Sequence, residues 1–295
     1  MRLPFQTRWD RRALLACSLV VLLVLFAGCA GAGNATNMLE AVQNRNVLRV
    51  VSDPNFRPQS YYDQLIGRWR GFDVDVATEI ARRLGVDVQF LSGVFEDVQA
   101  GDWQPEWDLS VGSVTITPQR AERLDFTTPY YYDTAAVSVN EDNADVKNIE
   151  TDLAGKTIGV TDGSTYESYL RGTLDLPGQG KIPSVIQDPL IVTYETDADA
   201  IDAVSAGDID AAISARPTLQ EAIDNGTANI KIVGDPLFTE QLAAAVAKDM
   251  PLDSTSFVQR VSEIIDQMHA DGTLTDLSEK WYGTDLTTPP SNVGG

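Results

Sequence analysis

The sequence predicts an α/β protein with two lobes, each built on a mostly parallel β-sheet. From Val47 onward, short apolar strands alternate with amphipathic helices, which is typical of parallel strands covered by helices. The alternation restarts at residues 157–160, and two such runs indicate two lobes. A chain of 295 residues is also long enough for about two domains.

Residues 1–28 have the pattern of a secretory signal peptide. A basic leader precedes an apolar run at residues 13–27, which is too short to span a bilayer comfortably. The run leads into Leu-Phe-Ala-Gly-Cys, which resembles a bacterial lipobox with Phe26 where leucine is usual. We therefore expect a lipid on Cys29, an extracytoplasmic, membrane-anchored location and a flexible tether over residues 29–45. An ordinary signal peptide without a lipid is the alternative.

The first run of elements is justified by its apolar periodicity. The helix at residues 74–84 places its apolar residues on one face, and Gly85 supplies the stop. In order, the predicted elements are a strand at 47–51, the helix at 74–84, a strand at 86–90, a helix from Glu96 and a strand at 109–111.

The second run repeats this pattern and is followed by two helices. Its predicted elements are a strand at 157–160, a helix after Ser164, a strand at 191–194, a helix at 197–206 and a strand at 209–213. A strand at 241–247 leads into a long helix with apolar residues at helical spacing, which Gly272 ends. A last short helix is predicted at 274–281, and residues 286–295 are expected to be disordered.

Composition excludes several classes of function. The net charge of −21 at pH 7 repels nucleic acid and anionic lipid headgroups. His269 is the only histidine, and no free thiol is left once Cys17 departs with the signal peptide and Cys29 carries a lipid. A zinc site or a Ser-His-Asp triad therefore lacks its residues, and no catalytic residue, metal or cofactor is predicted.

A strand-to-helix turn in the first run has the residues of a carboxylate site. Thr117 followed by Pro118 is typical of a helix start, with the hydroxyl at the N-cap, and Arg120 falls in the first turn. Ser113 and Thr115 point the same way just upstream. Hydroxyls, a helix N-terminus and a guanidinium at one point favour binding of a carboxylate.

A similar turn opens the second run. Ser164 and Glu167 have the spacing of a capping box directly after a strand. Two strand-to-helix turns rich in hydroxyls, one in each lobe, are best explained by one ligand held between the lobes.

These features resemble family 3 of the extracellular solute-binding proteins, which serve polar amino-acid ABC importers. The motifs that carry the resemblance are GFDVD at 71–75, TITPQR at 115–120, DFTTPY at 125–130, GKTIGV at 155–160, GDIDA at 207–211 and EKWYG at 279–283. The resemblance implies a two-lobed periplasmic binding protein (type II) fold, with two doubly wound, mostly parallel sheets joined by two hinge strands. Lobe 1 would comprise residues 46–138 and 240–285, and lobe 2 residues 139–239.

The resemblance also implies a role for individual residues. Arg120, with Ser113 and Thr115, would hold the ligand's α-carboxylate, and Thr165 would reach it from lobe 2. The other implied ligand-binding residues are Asp53, which contacts ligand side chains, Phe56 and Phe95, which sandwich the aliphatic part, and Thr161 and Ser164, which line lobe 2.

One position departs from the family pattern. Most amino-acid binders of this family place an aspartate for the ligand's α-ammonium where this chain has Ala215, followed by Arg216. An unpaired ammonium in a closed cleft would cost about 3 kcal/mol. Another carboxylate, with Asp53 the nearest candidate, would then take the role, or the ligand lacks an ordinary α-amino group. A second anionic group pairing with Arg216 is a further alternative.

The predicted function is capture of a small carboxylate, most simply a polar amino acid, by a monomer that delivers it to an ABC permease. A secreted enzyme of the cyclohexadienyl dehydratase type, acting on prephenate or arogenate on the same fold, is one alternative. A receptor that senses a ligand and acts with a signalling partner is another.

Overall fold

The structure is a computed structural model that describes residues 35–103 and 106–290. The predicted signal peptide, Cys29 and the first six residues of the predicted tether, 29–34, lie outside the described residues. The helices are α1 (Met38–Arg45), α2 (Phe72–Leu84), α3 (Phe95–Ala100), α4 (Ile149–Asp152), α5 (Thr165–Leu170), α6 (Asp197–Ala206), α7 (Arg216–Asp224), α8 (Thr255–Ala270) and α9 (Thr273–Tyr282).

The strands include those predicted from the sequence and several that were not, among them a long one at Leu124–Asn140. They are β1 (Val47–Ser52), β2 (Asn55–Phe56), β3 (Ser60–Asp63), β4 (Arg68–Arg70), β5 (Asp87–Ser92), β6 (Leu109–Thr115), β7 (Leu124–Asn140), β8 (Thr157–Thr161), β9 (Asp175–Leu176), β10 (Gly180–Lys181), β11 (Leu190–Tyr194), β12 (Ala211–Ala215), β13 (Ile230–Val233) and β14 (Thr239–Ala247).

Strand pairing divides the main sheet into two groups that meet at β7 and β14. The order is β11-β8-β12-β7-β14-β6-β1-β5, with β13 also paired to β7. Pairs at both ends of this order are parallel, whereas β7 and β14 pair antiparallel with each other and with their neighbours. The predicted lobe boundaries at residues 138 and 240 fall within these two central strands.

Each strand group has its own hydrophobic cores, because helices cover its faces. The core on β1, β6 and β14 is filled from α2, α8 and α9, with Phe72, Ile80, Phe257 and Ile264 fully buried. Separate cores around β8 and β12 include Ile158, which is also fully buried. Burial of large apolar side chains on this scale is the main favourable contribution to the folding free energy.

The helix stops read from glycine are confirmed. Gly85 and Gly207 both take the left-handed conformation, with φ of 77° and 81°, at the ends of α2 and α6. A residue with a Cβ would be strained there, so glycine is the ordinary choice.

The prediction of a flexible tether as far as residue 45 is wrong in its last part. Residues Met38–Arg45 form α1, capped by the Asn37 side chain, which accepts from the Glu40 N–H at 3.0 Å. Met38 and Val42 are buried against the first core. Two apolar residues four positions apart give this short segment a face that packs, which keeps it helical.

The prediction of a disordered tail from residue 286 is also wrong at its start. The Leu286 N–H donates to the Ser278 hydroxyl at 2.9 Å, and the Leu286 carbonyl accepts from the Tyr132 N–H at 2.8 Å. Thr287 is buried, with an exposed fraction of 3%. Residues 291–295 lie outside the described part of the chain. Across residues 35–103 and 106–290, the helices are too short or too polar to cross a membrane.

Candidate functional site

The carboxyl ends of strands from both groups meet at one cavity. Asp53 follows β1, Thr115 ends β6, Thr161 ends β8 and Ala215 ends β12. Ligands bind at this edge in open α/β sheets because the side chains of several strands converge there. The space in which the centre of a water molecule can lie is about 50 Å³, so the cleft is nearly closed.

Nine of the ten ligand-binding residues predicted from the sequence line this cavity. They are Asp53, Phe56, Phe95, Ser113, Thr115, Arg120, Thr161, Ser164 and Thr165. The exception is Arg216, which is exposed and borders a neighbouring cavity of about 400 Å³. Arg216 is therefore not placed to bind a ligand in the main cavity.

Arg120 is a buried cation that faces the cavity. Its guanidinium donates from Nη1 to the Thr115 carbonyl at 3.0 Å and from Nη2 to the Gly163 carbonyl at 3.2 Å. It lies over the Phe95 ring, with 5.0 Å between Cζ and the ring centroid. The side chain has an exposed fraction of 5%, and burial lowers its pKa to about 10. Such a group is stabilised by an anion, because burial removes the water that would solvate its charge.

The helix predicted to contain Arg120 is shorter than expected. The Thr117 hydroxyl accepts from the Arg120 N–H at 3.1 Å, as predicted for an N-cap. However, residues Arg120–Glu122 form a single 3₁₀ turn and not an α-helix. A helix dipole therefore adds little here, and the guanidinium supplies the positive charge.

Ser113 is oriented away from its expected role. It has a positive φ of 53°, its hydroxyl donates to Asp73 Oδ2 at 2.8 Å, and its N–H donates to the Tyr130 hydroxyl at 2.9 Å. The Tyr131 hydroxyl donates to the Ser113 oxygen at 2.7 Å. Because both donors of Ser113 are used within the protein, it supports the site and does not donate to a ligand in this conformation.

Thr115 and Thr165 converge from the two strand groups, but on a protein carboxylate. Both hydroxyls donate to Oε1 of Glu240, at 2.7 Å and 2.5 Å. Glu240 lies on β14 and has an exposed fraction of 2%. Sequence reasoning missed this residue, which joins the hydroxyls expected to hold the ligand.

The second turn is capped in a shifted form of the predicted box. The Ser164 hydroxyl accepts from the Glu167 N–H at 3.2 Å, as expected. The Glu167 carboxylate, however, accepts from the N–H of Gly163 at 2.9 Å instead of that of Ser164. The consequence is that the Gly163 carbonyl is held where Arg120 donates to it.

A carboxylate beside Ala215 was also missed. Asp197, at the start of α6, accepts from the Thr161 hydroxyl at 2.7 Å and from the hydroxyl of Ser214, the neighbour of Ala215. Burial raises the pKa of Asp197, and these two hydroxyls oppose the rise. The cavity therefore has an acidic group next to the position where the family pattern had led us to expect an aspartate.

Asp53 is the carboxylate at the β1 end of the cavity. Its Oδ1 accepts from the Asn55 N–H at 2.7 Å. Burial, with a smaller contribution from nearby carboxylates including Asp197, raises the pKa of Asp53 to about 6. Phe56, on β2, also lines the cavity and supplies an apolar wall.

Asp133 and Glu240 stand directly opposite each other on β7 and β14. Asp133 has an exposed fraction of 4%, and its Oδ1 accepts from the Thr134 N–H at 2.6 Å. Burial, then the adjacent Glu240, raises the pKa of Asp133 well above its usual value. Like charges directly opposite on paired strands are unfavourable, so this arrangement calls for a cation or a proton.

The missed residues do leave a signal in the sequence. Asp133 interrupts an otherwise aromatic and apolar run, and Glu240 immediately precedes a predicted strand. Asp197 opens a helix directly after a strand, which is the rule that located Arg120 and Ser164. An isolated acid in a buried run is a candidate functional charge.

Comparison with known proteins identifies similar chains over almost the whole body. The model of the bacterial extracellular solute-binding proteins, family 3, matches residues 48–284. The probable amino-acid-binding protein YxeM of Bacillus subtilis is 31% identical over 270 residues, covering 90% of this chain and 93% of the relative. The L-cystine-binding protein TcyJ of Escherichia coli K12 is 27% identical over 278 residues, covering 94% of this chain and 97% of the relative.

A solved structure has the same architecture. An ancestral arginine-binding protein bound to arginine superposes with a TM-score of 0.68 at 28% identity, covering 81% of this chain and 99% of that one. The likeness confirms the periplasmic binding protein fold predicted from the sequence.

Proposed function

Because the chain belongs to the bacterial extracellular solute-binding proteins of family 3, we propose that its cleft captures a cationic amino acid. Like its family and these relatives, the chain is an amino-acid-binding component of ABC transport and not an enzyme. That the bound amino acid is cationic goes one step beyond what the family establishes.

The charges around the cavity carry this proposal. Four carboxylates line it, from Asp53, Asp133, Asp197 and Glu240, against the single guanidinium of Arg120. A ligand with one carboxylate and two cationic groups matches this imbalance better than a neutral amino acid does. Electrostatic complementarity of this kind sets specificity more than bulk affinity.

The named relatives support two ligand chemistries. The ancestral structure holds arginine, and the TcyJ relative binds L-cystine. Cystine carries two carboxylates, whereas only Arg120 is a cation among the residues that line this cavity. The acidic lining therefore favours the arginine type.

The proposal extends to how the ligand is enclosed. Residues 46–138 with 240–285 would form one lobe and residues 139–239 the other, with β7 and β14 as the hinge strands. Closure brings Arg120 from the first lobe and Thr165 from the second to the same ligand, which is then presented to the permease by a monomer. Ligand-induced closure of two lobes is a known mode of recognition.

Calorimetry with arginine and citrulline tests the ligand class. The two molecules have nearly the same shape, but citrulline lacks the side-chain charge. We expect arginine to bind about 100-fold more tightly, because each buried carboxylate left without a cation is costly. Equal affinity for the two would contradict the cationic class while leaving amino-acid binding intact.

The anchor at Cys29 is a separate proposal, supported by the lipobox-like sequence before it. Replacing Cys29 with Ser should release the protein from the membrane fraction. Replacing Cys17 with Ser is the matched control and should leave it bound. Release by both variants or by neither would contradict a lipid on Cys29.

A further inference from the structure

The Asp133–Glu240 pair carries an inference beyond the ligand class, although it rests on the proposed capture of a cationic ligand. The two carboxylates face each other across β7 and β14, the only pair of main-sheet strands in the described chain that joins both strand groups. Both side chains are almost fully buried and both line the cavity.

The surroundings of the pair do not neutralise it. The charged and titratable groups that face it are Arg120, Tyr131, Tyr166, Asp197, Arg216 and Tyr282. Within the described residues, neither Arg120 nor Arg216 forms an ion pair with Asp133 or Glu240 inside 4.0 Å. Arg216 is also exposed, so water screens its charge.

The two members of the pair differ in how well their negative charge is solvated. Glu240 accepts hydroxyl hydrogens from Thr115 and Thr165, which favour its ionised form. Asp133 accepts one backbone N–H, from Thr134. Two carboxylates this close do not both ionise readily, so a single proton in the empty cleft resides mainly on Asp133.

We propose that Asp133 and Glu240 form a subsite for a cationic nitrogen of the ligand and exchange one shared proton for it. As the ammonium or guanidinium group enters, the proton leaves Asp133 for solvent. One positive charge replaces another, so the net charge of the closed site is unchanged by the exchange. The affinity for ligand then falls as the pH is lowered, about tenfold per pH unit where one full proton is released. Acidification therefore promotes ligand release.

Calorimetry of arginine binding at several pH values from about 6.5 to 8.5, in buffers with different ionisation enthalpies, counts the protons released at each pH, and the largest count is compared between variants. We expect about one proton per arginine for the parent protein and almost none for Asp133→Asn. Asp133→Asn also removes a buried like-charge contact, so we expect it to fold at least as stably as the parent.

The matched control is Asp53→Asn, which alters another cavity carboxylate outside the pair. It should weaken arginine binding while proton release stays at about one. Tight arginine binding by the parent without proton release would overturn the exchange, as would release that is lost in Asp53→Asn and kept in Asp133→Asn. If arginine does not bind the parent at all, the proposed ligand class is what fails.

Discussion

Burial shifts the ionisable side chains around the cavity toward their neutral forms. The pKa of Asp53 rises to about 6, and that of Arg120 falls to about 10, in both cases chiefly because the groups lose water. Each charge held there without a partner lowers the free energy of unfolding of the ligand-free protein. A ligand of complementary charge relieves this cost, so binding and stability are linked at single residues.

The pH dependence of stability tests this for Asp53. Its folded pKa of about 6 lies above the ordinary value of 3.8, so its contribution to stability is fully present below 3.8 and is lost as the pH rises through 6. We therefore expect Asp53 to increase the free energy of unfolding of the ligand-free protein as the pH is lowered from about 7.5 to about 5. Asp53→Asn should raise the free energy of unfolding at neutral pH by about 1–3 kcal/mol.

Denaturant unfolding at both pH values measures this effect. Asp202→Asn, at an exposed aspartate, is the control and should change little. If the free energy of unfolding of Asp53→Asn changes with pH as much as that of the parent, Asp53 is not the source of the effect.

Short connections between strands and helices set the geometry of the site. The turn from β8 to α5 contains Gly163, with φ of +67° and a carbonyl that accepts from Arg120. A Cβ on Gly163 would lie 2.4 Å from Nε2 of Gln99. The turn is therefore constrained by its left-handed backbone, and the end of the flexible Gln99 side chain on α3 would have to move to admit a Cβ.

Gly163→Ala should weaken ligand binding through this turn. Gly172 is a matched control, because its φ of +68° is nearly the same and a Cβ there meets nothing within 4 Å. Both substitutions should cost about 1 kcal/mol or more of stability from the left-handed backbone alone. Only Gly163→Ala should also reduce affinity in calorimetry, and equal affinity of the two variants would show that the turn does not govern the site.

The elements were largely predictable because their signals are local. Apolar periodicity located α2, α6 and α8, and glycine located the ends of the first two. The α1 helix was missed because its stability comes from two buried residues, Met38 and Val42, packing on a distant core. The single 3₁₀ turn at Arg120 was mistaken for a helix start because both begin with the same cap.

The site was predictable where the chain itself brings residues together. Strand-to-helix turns indicated Ser113, Thr115, Arg120 and Ser164, and the family resemblance supplied the other five named residues that line the cavity. The pairing of Asp133 with Glu240 depends on the register of two strands more than a hundred residues apart, which no local pattern encodes. The Ser113 hydroxyl likewise donates to Asp73, forty residues earlier in the chain, and is not free to donate to a ligand in the cavity.

At the scale of the whole molecule, the two strand groups are held together around the cavity. Hydrogen bonds join the two groups at the cavity, from Arg120 to Gly163 and from Thr165 to Glu240. A further one, from Thr218 to Gln59 at 3.1 Å, joins them at side chains that do not line the cavity. The cavity offers only about 50 Å³ of space to the centre of a water molecule, so we expect the two groups to move apart and these bonds to break before a ligand enters. Each is worth about 1 kcal/mol net, which is small enough for a ligand to shift the balance between open and closed forms.

The central claim is that the closed cleft recognises a carboxylate through Arg120, and calorimetry with arginine and agmatine tests it most directly. Agmatine keeps the guanidinium and lacks the carboxylate. We expect the parent and the control Arg123→Ala, at an exposed arginine, to prefer arginine by about 100-fold, and Arg120→Ala to lose that preference. Agmatine binding the parent as tightly as arginine, or a preference that survives in Arg120→Ala, would contradict the claim.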